Sequence, residues 1–148
     1  MRLNKDGSIG DIADEIYHQG AGISAVDMRL EPKIRCVKLS PDEKYLFAVD
    51  NGIDQVKVYK IDYDMGKLRL DDILRCPFGT SPRMIRFSDD GRFGYLLLED
   101  KNLIYVYSID ESGDTFECEK IQEVETLGTE QAYRAASSTI ELTHDGRH

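Results

Sequence analysis

Three stretches of the chain repeat one another. The phrase "CVKLSPDEKYLFAVD" at 36–50 is matched by "MIRFSDDGRFGYLLLED" at 84–100, and "TIELTHDGRH" at 139–148 begins it a third time. Val37, Ile85 and Ile140 correspond, as do Leu39, Phe87 and Leu142, then Ser40, Ser88 and Thr143. Two residues on stand Asp42, Asp90 and Asp145, followed by Glu43, Gly91 and Gly146 and by the basic Lys44, Arg92 and Arg147. The copies start at Cys36, Met84 and Thr139, with the second interval somewhat longer than the first. Repetition at such a period constrains the fold more than any local propensity. Each copy is one supersecondary unit that must bury its faces against its neighbours.

Within a copy the pattern is that of strands. Arg35, Val37 and Leu39 alternate with Cys36 and Lys38, a period of two. The turns "SPDEK" and "SDDGR" carry hairpin chemistry, and the strands after them, "YLFAVD" and "FGYLLLE", are apolar on both faces. Short turns then lead to "QVKVYKID" and "LIYVYSID", and more polar fourth strands follow Gly66 and Gly113. Four antiparallel strands in about 50 residues, running from apolar to polar, make one blade of a β-propeller.

The predicted fold is therefore all-β: a partial β-propeller with two complete four-stranded antiparallel blades, an outer strand before them and an inner strand after them. The expected divisions are 1–30 for the outer strand and linker, 31–77 and 78–130 for the blades, and 131–148 for an incomplete third. "DIADEIYHQG" could instead form a short helix with Ile12, Ile16 and Tyr17 on one side. The glycine phrasing before it favours a strand. The acidic fourth strands form a rim whose charge discourages edge-to-edge pairing.

Propellers close with four to eight blades. The chain is thus expected to be a piece of a longer protein, or to cover its open faces by self-association or with complementary blades. A net charge of −9 disfavours nucleic acid and anionic membranes as partners. The start "MRLNKDGSIGD" is polar, and no apolar run approaches the length of a membrane-spanning helix, so a cytoplasmic location is the expectation. Cys36, Cys76 and Cys118 are widely spaced and read as small buried residues, neither a disulfide framework nor a zinc site. His18, His144 and His148 share no motif, so no metal site is expected.

The phrase "CVKLSPDEKYLFAVDNGIDQVKVYKID" resembles bacterial seven-bladed lactonases of the 6-phosphogluconolactonase type, and "GTSPRMIRFSDDGRFGYLLLEDKNLIYVYSID" and "STIELTHDGRH" are similar to that family's next blades in order. The resemblance implies a hydrolase of sugar-acid lactones in the pentose phosphate route, with a phosphorylated sugar lactone as substrate and neither metal nor cofactor.

Antiparallel topology independently gathers the starts of inner strands and the ends of second strands at one mouth of the channel. Lys33, Arg35 and Arg83 come from the former, Asp50, Asp54 and Glu99 from the latter. A phosphate needs Arg or Lys donors, the tetrahedral oxyanion needs fixed positive partners, and the attacking water needs a base. By its match to the family phrase, Arg83 is the candidate ligand for an anionic group, and Glu99 the candidate base or orienting residue; these two are the predicted catalytic pair. Lys33, Arg35 and Asp50 are the predicted substrate-binding residues.

The chain also departs from the family pattern. Pro-His-x-His reads "PKIR" here, so Lys33 and Arg35 replace two imidazoles; Met84 replaces a third, and Leu98-Glu99 stands for Asn-Glu. Lys and Arg keep positive charge but do not act as bases near neutral pH unless strongly perturbed. A noncatalytic propeller piece, a binding scaffold or assembly unit, is accordingly the alternative. Each candidate has a plainer role as well: Arg83 pairing with Asp90, Glu99 as a solvated turn residue, Lys33 and Arg35 as solvated channel residues, Asp50 and Asp54 as turn formers.

Overall fold

The computed structural model describes residues 1–20, 31–110, 116–128, 136–143, 145–146 and 148. Eight strands form: β1 (Ile34–Leu39), β2 (Tyr45–Asp50), β3 (Gln55–Asp62), β4 (Lys67–Arg75), β5 (Pro82–Phe87), β6 (Phe93–Leu98), β7 (Leu103–Asp110) and β8 (Glu117–Glu125). They make two sheets in the order β1-β2-β3-β4 and β5-β6-β7-β8, antiparallel throughout. These are two propeller blades. β5 lies against β1 and β2, so the first strands of the two blades are neighbours at the inner side.

The apolar-to-polar gradient of each repeat becomes a gradient of burial. In β2 every residue but Leu46 is buried, whereas eight of the nine residues of β8 are exposed. Tyr45, Phe47, Val49, Val56 and Val58 form one wall of the core, and Ile85, Phe87, Leu96, Leu98, Tyr105, Tyr107 and Phe116 form the other. The Phe47 ring packs at 4.8 Å from Phe87 and 5.5 Å from Phe116, and Tyr45 at 5.0 Å from Phe116. Tilted aromatic pairs at these separations combine large apolar burial with favourable ring electrostatics. The core therefore lies between the blades, not within either one.

The described residues of the three opening turns make the same contacts. Ser40, Ser88 and Thr143 each bond through the hydroxyl to the aspartate two residues on, at 2.6–2.7 Å. Each of these hydroxyls also accepts the amide five residues on. The residue after the aspartate sits in the left-handed region: Glu43 at φ 61°, Gly91 at 73° and Gly146 at 63°. The Ser88 hydroxyl, with the Arg92 guanidinium and amide, holds the Asp90 carboxyl down to about 2. Of the three left-handed residues only Glu43 carries a Cβ, which costs roughly 1–2 kcal/mol there. Glu43→Gly is expected to raise stability by about 0.5–1 kcal/mol after the entropy glycine loses on folding, measured by urea unfolding. A destabilised variant would contradict the strain.

Among the described residues, the flanking segments form no ladder with either sheet. Among residues 1–20 there is no helix, and an isolated bridge joins Leu3 to Ile9. Asp14 binds the Leu68 amide and Lys67 Nζ at 2.9 Å, His18 meets Asp50 and Tyr59, and Gly20 lies against Ile53. The segment thus crosses the leading face of the first blade, antiparallel to β3. At the other side, Arg83 Nε donates to the Ser138 carbonyl, the Ile140 amide to Met84 Sδ, and Arg86 to Glu141. Residues 138–141 therefore run beside β5 in the same direction, as β5 runs beside β1. The polar fourth strand expected from Gly113 is regular from Glu117; residues 111–115 lie outside the described residues.

Candidate functional site

One end of the two blades collects the starts of β1 and β5, the ends of β2 and β6, and the turns that follow them. Both inner strands are bulged there. The register shifts between Ile34 and Cys36 and between Pro82 and Met84, so Arg35 and Arg83 are the extra residues at equivalent positions. A bulge leaves its extra residue out of the ladder and re-aims the side chain. This is the local reason that Arg35 and Arg83 stand clear of their ladders.

The structure brings Arg83 and Glu99 together. Arg83 Nη1 donates to Glu99 Oε2 at 2.8 Å, while its Nε donates to the Ser138 carbonyl at 2.8 Å. Both side chains are partly open to solvent, at 33% and 23%. Arg83 does not pair with Asp90, which binds Arg92 at the opposite end. Nearby, Ser81 is held at φ 53° and its hydroxyl donates to Asp100 Oδ2 at 2.6 Å. Ser81, Asp100 and Ser138 were not singled out from the sequence; "GTSPR" and "LLLED" contain the first two but give no spacing that connects them.

Arg35 is exposed and Lys33 partly so, and among the described residues neither side chain forms an ion pair. Asp50 is placed otherwise than a substrate-binding residue. It is fully buried, and its carboxylate accepts from His18 Nδ1 at 2.6 Å, the Lys33 amide at 2.7 Å and the Gly52 amide at 3.1 Å. Its oxygens turn inward to these three donors, so it ties together parts of the chain that form the mouth. Gly52 is needed in the same place, because a Cβ there would come within 1.8 Å of the Glu31 carbonyl oxygen.

Asp54 is likewise structural. Set at φ 52°, it accepts the Gly79 amide at 2.8 Å and the Ser81 amide at 2.8 Å. Two of the backbone donors of "GTSPR" are thereby spent. Asn102, at the same repeat position and also at φ 52°, does the same for the next inner strand by accepting the Ser137 amide at 2.9 Å. Met84, where an imidazole was expected from the resemblance, accepts the Ile140 amide through sulfur at 3.3 Å.

The cysteines are half-buried against the core, and burial pushes the Cys76 and Cys118 thiols up to about 12. A thiol so perturbed is a poor nucleophile. Clefts also open away from the mouth, one lined by Pro41, Asp42, Asp90, Arg92 and Asp110. They hold none of the residues gathered at the bulges.

The family described as "Lactonase, 7-bladed beta-propeller" matches residues 1–148. The chain is 26% identical over 145 residues to a 6-phosphogluconolactonase of Bacillus subtilis, covering 98% of this chain and 40% of that protein. Among solved structures it superimposes on a protein from Lactobacillus plantarum with a TM-score of 0.83 at 29% identity, over 97% of this chain and 40% of that one. A periplasmic gluconolactonase of Pseudomonas aeruginosa gives 0.81 at 28% identity, over 98% and 40%. The chain thus spans about two fifths of the length of the relatives it matches.

Proposed function

The chain belongs to the seven-bladed β-propeller lactonase family, and from that premise we propose that its two blades supply the Arg83–Glu99 side of a mouth that opens a sugar-acid lactone. The observation that carries this is the 2.8 Å pair on the second blade, solvent-accessible and set at a bulge. The name of the Bacillus subtilis relative directs attention to a phosphorylated lactone. The cationic bulge residues Arg35 and Arg83, with Lys33 beside the first, suit the anionic end of such a molecule.

In the proposed reaction a water oxygen attacks the lactone carbonyl carbon. Glu99 orients that water and takes its proton, and a guanidinium faces the developing oxyanion. The bond from the carbonyl carbon to the ring oxygen then breaks, and the ring oxygen leaves as a hydroxyl by taking back the proton that Glu99 accepted. No solvent-facing imidazole stands at the described mouth, since Lys33, Arg35 and Met84 occupy those positions. That favours a second reading, in which the blades bind the sugar acid without opening its lactone.

One assay separates the two. Opening of 6-phosphogluconolactone is followed against its spontaneous rate, with the chain alone and mixed with complementary blades. Acceleration is expected, falling on the order of 100-fold in Arg83→Ala and in Glu99→Gln. A rate equal to the spontaneous one in both preparations, with 6-phosphogluconate still bound, would establish the binding reading instead.

A further inference from the structure

The two blades present the same repeat positions to very different surroundings. In the second blade Leu96, Leu98, Tyr105 and Tyr107 face the first blade and belong to the core. Their counterparts one repeat earlier are Ala48, Asp50, Lys57 and Tyr59. Ala48 pairs with Lys57 across the sheet, and Asp50 and Tyr59 share their face by strand alternation, opposite Phe47 and Val58. All four are buried, Asp50 completely. A carboxylate and an ammonium thus lie on the face that residues 12–20 cross, where the other blade has leucine and tyrosine.

His18 is the residue that covers the carboxylate. Its Nδ1 lies 2.6 Å from Asp50 Oδ2 and its Nε2 3.0 Å from the Tyr59 hydroxyl, with the His18 side chain only 2% exposed. An ionised carboxylate can only accept, so Nδ1 carries the hydrogen in this arrangement. The other carboxylate oxygen accepts the Lys33 and Gly52 amides, and the Lys33 carbonyl in turn accepts the Asn51 amide. One aspartate therefore joins three separate parts of the chain: the covering segment, the start of the first inner strand and the turn after β2. A buried polar group of this kind costs stability relative to an apolar contact and is best attested as a device that fixes register.

We propose that His18, Asp50 and Tyr59 form a register key, which admits only the 12–20 segment to this face and transmits its docking to the position of Lys33 and Arg35 at the mouth. His18 and Asp50 are positioning residues; neither faces a ligand. The proposal goes beyond the lactonase reading and does not depend on it, because its test reads amide protection and imidazole tautomer, not hydrolysis.

The test uses the whole chain, labelled with nitrogen-15. In the unaltered protein His18 Nδ1 is expected to carry a hydrogen. In Asp50→Asn the amide oxygen still accepts from Lys33 and Gly52, while the amide nitrogen donates to Nδ1 and so moves the single imidazole hydrogen to Nε2. Amide exchange at Lys33 and Gly52 should then quicken as well, because their acceptor loses its charge, so the tautomer is the readout of this variant. In His18→Ala the carboxylate loses its cover and can turn toward water, so those two amides should exchange about tenfold faster or more. The β6–β7 ladder should be unaltered and serves as the control for folding. The proposal is overturned by an unaltered protein with hydrogen on Nε2 alone, or by His18→Ala with unchanged exchange at Lys33 and Gly52.

Discussion

Phe47→Ala is expected to lower the stability of the chain by about 3–5 kcal/mol, the range for removing a fully buried aromatic ring from a core. Phe47 is 0% exposed, and among the described residues its ring contacts are to the other blade, Phe87 at 4.8 Å and Phe116 at 5.5 Å. The cavity would open at the junction of two sheets, each held by its own ladders, so neither sheet can collapse onto the gap without tilting away from its neighbour. Urea unfolding should show an early transition for the interface. Phe47→Leu keeps most of the apolar volume and should cost roughly 1.5 kcal/mol or less. A loss under about 1 kcal/mol for Phe47→Ala would mean that the blades do not depend on each other for their core.

The second large effect concerns Asp54, through the contrast between two substitutions. Asp54→Ala leaves the Gly79 and Ser81 amides without their acceptor and puts alanine, which tolerates the left-handed region less well than aspartate, at φ 52°. Leaving these part-buried donors unsatisfied costs about 1 kcal/mol each, the low end for buried groups, and the left-handed backbone adds roughly 1 more. A loss of about 3 kcal/mol or more is expected by thermal or urea unfolding. Asp54→Asn keeps an acceptor oxygen and a residue type that tolerates the left-handed region, so it should cost about 1 kcal/mol or less. Asn102 already does this work one repeat later. Equal losses in the two variants would contradict the capping role.

Blades were legible in the sequence because burial and strand alternation repeat with a regular spacing. The correspondence of Glu43, Gly91 and Gly146 was visible before its cause, which is a shared left-handed turn position. Topology alone placed Arg83 and Glu99 at one end, since an inner-strand start and a second-strand end must meet in an antiparallel pair. The direction of each carboxylate was not legible. Asp50 and Asp54 stand at that same end, and whether they face the channel or the backbone depends on the local path of the turn. One clue was present: Asn102 occupies the repeat position of Asp54 and cannot serve as a base. For His18 there was no clue. It reaches Asp50 from a distant segment without a ladder, so neither spacing nor periodicity connects them.

The central claim is that two four-stranded blades stack through their aromatic faces and so bring the bulged strand starts to one mouth. Nuclear Overhauser contacts in the 148-residue chain test it most directly. Stacked blades predict contacts from the Phe47 ring to the rings of Phe87 and Phe116, together with Hα and amide contacts that pair Phe47 with Val58 and Tyr95 with Val106. Cross-strand contacts within each sheet but none between the rings of the two sheets would contradict it.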